Sequence, residues 1–183
     1  MGLQKRIGAA LAVTAATALA FAASAPAAEL GGKTLLSPEP ATFETLTGAG
    51  VTVSPTGEAS VGRSGIAFPI TGGRFNANQV AGKVEHKGGL TFTGNGASLT
   101  VENFVVKVGA KNVIRAEVAG GGHVRLADLD LNRAKIKQRG GKLVISNVDV
   151  LLAGKSAAAL SAVFGLPDLR GADLGTATVK ARP

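Results

Sequence analysis

From Val51 onward, clustered glycines break the chain at short intervals: Gly72-Gly73, Gly88-Gly89, Gly120-Gly121-Gly122 and Gly140-Gly141. Between them lie "IAFPI", "GLTFTG", "SLTVENFVVKV", "NVIRAEVAG", "HVRLADLDL", "RAKIKQR" and "KLVISNVDVLL". These runs are strand-length and rich in β-branched and aliphatic residues, and turn residues bound each one. The spacing predicts an all-β fold, an antiparallel sandwich or barrel-like sheet with Gly-rich turns. One or two short helices decorate it. In "SPEPATFETLTGAG", Ser37 is the expected N-cap and Pro38 the first helical residue, with Gly48 or Gly50 as the stop. In "KSAAALSAVFG", Ser156 is the expected cap; Leu160, Val163 and Phe164 share a face, and Gly165 ends the helix ahead of Pro167.

Two strands change face midway. Leu99 and Val101 are odd positions, whereas Phe104, Val106 and Val108 are even. Leu143 and Ile145 are followed by Val148, Val150 and Leu152 with the same change of parity. A period of two cannot send both halves to one core, so a bulge is required near Asn103 and near Asn147. Both segments read L-x-[VI]-x-N-[FV]-x-V, which is either an internal repeat or one bending problem solved twice.

The N-terminal residues have the parts of a secretory signal. Lys5 and Arg6 precede an uncharged run from Ile7 to Ala23, and Ala25 and Ala27 offer small residues for cleavage before Ala28. The expected organisation is therefore a signal peptide at residues 1–27 and a single β domain at residues 28–183, secreted or held at the cell surface. Loss of Lys5 and Arg6 with the signal lowers the formal net charge of +8 by two. A positive excess favours anionic partners. Nucleic acid is not expected among them, because the chain has no Trp or Tyr on which bases would stack. It also has no Cys, so an exported domain of this kind relies on an ordinary core.

His86 is the residue of most chemical interest. Alternation puts it on the face of Val84, and Leu90 and Phe92 resume an apolar face after Gly88-Gly89. It is either a ligand, for iron or another metal, or a buried imidazole satisfied by a turn carbonyl or a side chain. No second ligand stands near it at metal spacing, and no metal site is predicted. His123 shares its parity with Arg125 and should face water. Arg133, Lys135, Lys137 and Arg139 are all of one parity and form a positive ladder. The ladder suits an anionic cell-wall polymer, a membrane surface or haem propionates, but a solvated face or an edge strand protected from aggregation is the favoured reading. Asp128 and Asp130, too few for calcium, are expected to face that ladder as cross-strand partners. No catalytic residues are predicted: the chain lacks a G-x-S-x-G elbow, an H-E-x-x-H helix and a Cys nucleophile.

"GKVEHKGGLTFTGNGASLTVENFVVKVGAKNVIRAEV" resembles the central part of the Htaa domain, the haem-transport-associated domain of actinobacterial secreted and surface proteins. "VDVLLAGKSAAALSAVFGLPDLRGADLGTATVKA" is similar to the close of that domain, and the resemblance spans roughly residues 68–181. It implies haem as a cofactor and a tyrosine as the iron ligand, and this chain contains no tyrosine. Haem bound here would depend on His86 instead. The expected function is that of a secreted, non-catalytic Htaa-like binding or surface-associated module. The rivals are an extracytoplasmic carrier of haem or a hydrophobic ligand, and a structural envelope protein contacting anionic polymer.

Overall fold

The computed structural model describes residues 29–182. The expected signal peptide lies outside them. Twelve strands and two helices follow in the order β1 (Gly31–Pro38), α1 (Pro40–Gly48), β2 (Thr52–Thr56), β3 (Ser60–Gly62), β4 (Gly65–Asn76), β5 (Ala81–His86) and β6 (Gly89–Gly94). Then come β7 (Ala97–Val108), β8 (Val113–Val118), β9 (His123–Asp130), β10 (Lys135–Arg139), β11 (Lys142–Leu152), α2 (Gly154–Phe164) and β12 (Asp173–Arg182). All pairings are antiparallel. Eight strands close a barrel in the order β7-β5-β4-β1-β12-β11-β9-β8, with β8 returning to β7. Closure joins the edges of these eight strands, while β2, β3, β6 and β10 stay outside the ring. Of the two sheet architectures the turn spacing allows, the chain adopts the barrel.

The barrel is built twice from one device. β5 and β6 lie end to end along a single edge of β7, β6 on Ala97 to Glu102 and β5 on Val105 to Val108. β10 and β9 lie end to end along β11 in the same way, β10 on Lys142 to Ser146 and β9 on Asp149 to Leu152. Opposite each break the long strand carries its asparagine in the left-handed region, Asn103 at φ 53° and Asn147 at φ 58°. The register slips at both points, between Glu102 and Val105 and between Ile145 and Val148. These are the two bulges that the parity change demands. Each lets both apolar sets of its strand reach the core, with Val101 and Phe104 buried in β7 and Leu143, Ile145, Val148 and Val150 buried in β11. Asparagine is among the few non-glycine residues that tolerate this backbone region, because its short amide can bond locally.

The broken strands also let the sheet branch. At Gly88, β5 stays in the barrel beside β4 while β6 turns away to pair with β2. Gly88 has φ +77° and packs against the backbone of Thr56, Glu58 and Ala59, where a Cβ would collide. Only glycine fits that crossing.

Two helix boundaries differ from the sequence reading. Ser37 and Pro38 belong to β1, and α1 begins two residues later, with Glu39 at the N-cap and Pro40 in the first turn. α2 begins at Gly154 with Ala153 at the N-cap, and Ser156 lies inside its first turn, where its hydroxyl donates to the carbonyl of Arg125. Gly165 ends α2 in the left-handed conformation as expected. Leu160 and Phe164 face the core, whereas Val163 stays exposed. β1 itself was not anticipated. It is a central stave, hydrogen-bonded to β4 on one side and β12 on the other.

Candidate functional site

His86 ends β5 and is 4% exposed. Its neighbours follow from the barrel: β1 stands two staves away across β4, and the bulged part of β7 lies beside it. The ring Nδ1 lies 3.1 Å from the carbonyl oxygen of Phe104, and Nε2 lies 2.7 Å from the hydroxyl of Thr34. A carbonyl only accepts, so Nδ1 carries the proton. Burial drives the imidazole pKa down to about 4, and the bond to Phe104 opposes that shift in part. The ring is therefore neutral at pH 7, and Nε2 accepts from Thr34. Both nitrogens are used.

The Phe104 carbonyl falls within the stretch that the bulge at Asn103 takes out of register. His86 thus bonds a carbonyl exposed by the bend in β7, rather than one in the Gly88-Gly89 turn. The Phe104 ring stacks edge-on against Phe68, with centroids 5.1 Å apart and planes at 67°. Pairs of this kind contribute about 0.5–1.5 kcal/mol beyond their burial.

Space around the imidazole is scarce. A cavity of about 60 Å³ touches Thr34, Phe68, His86 and Phe104, and a second of about 50 Å³ lies further along the barrel beside Val84, Ile145 and Val179. Small-molecule sites usually enclose roughly 300–1,000 Å³. The chain has no Tyr or Cys, and both His86 nitrogens are engaged, so the imidazole as it stands offers no free nitrogen to an iron.

The cationic ladder is divided. Lys135, Lys137 and Arg139 lie on β10 with their side chains exposed and half-buried Ile136 between them. Among the described residues β10 pairs only with β11, so it is an edge strand. Arg133 precedes the strand and turns to Asp149 of β11. Its Nε donates to Oδ2 at 3.0 Å, and its Nη2 donates to Oδ1 and Oδ2 at 2.8 and 2.7 Å. Hydrogen bonding to Asp149 raises the guanidinium pKa above its ordinary value. Asp128 and Asp130 are not cross-strand partners of the ladder. Asp128 pairs with Arg125 on its own strand, and Asp130 caps the backbone N–H of Asn132 at 2.8 Å. β10 was expected beside the aspartates of β9, but it follows β9 end to end along β11, so the two strands do not pair with each other. His123 is exposed at the start of β9.

The ladder continues across the sheet through residues that the sequence did not single out. Lys142 lies opposite Arg139, and Lys137 lies opposite Val144. Val144 in turn lies opposite Lys180, and Lys180 opposite Lys33. Arg182 stands two residues beyond Lys180 on the same outer face. Lys33, Lys142, Lys180 and Arg182 are all exposed. Among the described residues, no carboxylate pairs with any of these four or with the three cations of β10.

Residues 42–165 match the Htaa family model. The chain belongs to the Htaa family. The fold agrees with solved Htaa structures at low sequence identity. The C-terminal domain of HtaA from Corynebacterium glutamicum superposes with a TM-score of 0.65 at 14% identity, covering 84% of this chain and 98% of that one. The N-terminal domain of the same protein gives 0.58 at 16% identity, covering 85% and 97%. A domain-swapped dimer of a histidine-to-alanine variant of the C-terminal domain gives 0.56 at 16% identity, covering 78% and 90%. No curated protein matches the chain. Within the Htaa architecture, this chain combines a packed barrel with an unpaired cationic outer face.

Proposed function

We propose that this protein is an extracytoplasmic, non-catalytic Htaa binding module that engages its partner through its outer surface rather than through the barrel interior. The observation that carries the reading is the state of His86: both ring nitrogens are bonded, and the adjoining cavity measures about 60 Å³. A carrier of haem or another hydrophobic ligand would need an open, ligand-sized space. Family membership favours a binding role connected with haem, and the absence of tyrosine argues against the expected iron ligation. The domain assignment, a signal at residues 1–27 and a single module at residues 28–183, is part of the same proposal.

Titration of the purified protein with haemin tests it. The expected result is weak, non-saturating absorbance change that is the same in wild type and His86→Ala. A sharp, stoichiometric Soret band that disappears in His86→Ala would make the interior a haem site and overturn the reading.

A further inference from the structure

Seven cations occupy the outer face of β1, β12, β11 and β10: Lys33, Lys180, Arg182, Lys142, Lys135, Lys137 and Arg139. Two of the cross-strand pairs on this face set like charges directly opposite, Lys33 against Lys180 and Arg139 against Lys142. Such pairs destabilise a sheet. Guarding an edge explains cations on β10. It does not explain Lys33 and Lys180, which lie on staves with a hydrogen-bonded neighbour on each side. An external anion would relieve the repulsion on both.

The face is also shaped. A trough of about 580 Å³ lies over it, lined by Gly31 and Lys33 of β1, Lys180 and Arg182 of β12, and Lys142 and Val144 of β11. Gly31 leaves its floor open, since a Cβ there would meet nothing within 4 Å. Along β10, cations at alternate positions stand about 6.7 Å apart, the strand repeat over two residues. The face thus offers an array of point charges within a trough and along the edge strand beside it. The trough's lining includes no aromatic side chain of the kind that enters a bilayer interface.

We propose that this trough binds a linear polyanion carrying repeated phosphate groups, such as an envelope polymer linked by phosphodiesters. The proposal rests on the reading of the protein as a surface-acting module and gives that surface a ligand class. A chain-like ligand can lie in the trough and meet cations from three successive strands, β1, β12 and β11. A bilayer, which is flat, would meet them only at their tips.

The test uses long-chain inorganic polyphosphate as the probe, with vesicles of equal parts phosphatidylglycerol and phosphatidylcholine as the second arm. The purified protein should bind polyphosphate with an affinity that falls steeply with salt. In the triple variant Lys33→Gln/Lys142→Gln/Lys180→Gln, the affinity should drop by about tenfold or more, and the log–log salt slope should become shallower by about two. The charge-matched triple variant Lys107→Gln/Lys111→Gln/Lys155→Gln, with its changes at exposed positions off this face, should keep the wild-type slope. Thermal melting of both variants checks that they fold. Failure to bind polyphosphate, an equal loss in the matched variant, or tighter binding to the vesicles would each overturn the proposal. The haemin titration is independent of these results, so a failed trough and a failed surface reading give different outcomes.

Discussion

The Nδ1–H of His86 donates to the carbonyl of Phe104, 18 positions away in sequence, across the point where β7 bends. The contact joins two features of the chain that look unrelated in the sequence. Asn103 creates the bend, and the bend puts Phe104 in the gap of the strand register. A buried carbonyl without a donor costs about 1–3 kcal/mol. His86 supplies the donor, and Thr34 then satisfies the other nitrogen of the ring.

Stability should therefore fall in mild acid. The folded imidazole titrates at about 4, against 6.5 for the ordinary group. Between those values the unfolded chain takes up a proton that the folded chain refuses, so lowering the pH favours unfolding. The contribution of His86 is fully present above about pH 6.5, is lost as the pH falls, and levels off below about pH 4. Its total is about 3 kcal/mol. Urea unfolding across this range, with His86→Gln as reference, should give a difference profile that slopes in that window. A histidine titration followed by NMR in the wild type gives the same answer without a variant. A midpoint near the ordinary value would contradict the burial of the ring.

Arg133 and the lysines of β10 should separate experimentally, although the sequence sets them in one ladder. Asp149 is buried, and Arg133 holds both of its carboxylate oxygens. Removing the guanidinium leaves that carboxylate without its ionic partner. Arg133→Gln should lower the melting temperature by several degrees. Lys135→Gln/Lys137→Gln should shift it little, because exposed charges contribute little to stability. Equal shifts in the two variants would mean that Asp149 gains nothing from Arg133.

What the sequence revealed depended on how local each signal was. The glycine clusters and the parity changes at Asn103 and Asn147 are local, and they announced strands, turns and both bulges. β1 was not legible, because "GGKTLLSP" has two glycines, a proline and only two adjacent leucines. It becomes a strand through its pairing with β4 and β12, up to about 150 positions away in sequence. With β1 hidden, Thr34 could not be named as the partner of His86. The cationic face was half legible for the same reason. Lys135, Lys137 and Arg139 are neighbours in sequence, whereas Lys33 and Lys180 meet only when the barrel closes.

The paired bulges provide the last prediction. Asn103 and Asn147 have the same left-handed backbone at the same place in the two broken-strand motifs, but their side chains differ in what they hold. The Nδ2 of Asn103 donates to Oε2 of Glu117 at 2.6 Å. Asn147 is exposed, and its amide forms no bond among the side-chain hydrogen bonds of the described residues. Its value therefore lies in its backbone. Asn147→Gly should leave stability nearly unchanged, since glycine enters the left-handed region without a steric penalty. Asn147→Val should cost about 1–2 kcal/mol, the penalty for a side chain that resists that region. At Asn103 even glycine should cost about 0.5–1.5 kcal/mol, because the bond to Glu117 is lost. Chemical denaturation of the three variants measures the order. If Asn147→Val proved as stable as Asn147→Gly, the bulge in β11 would not depend on the left-handed residue, and the parity change would need another explanation.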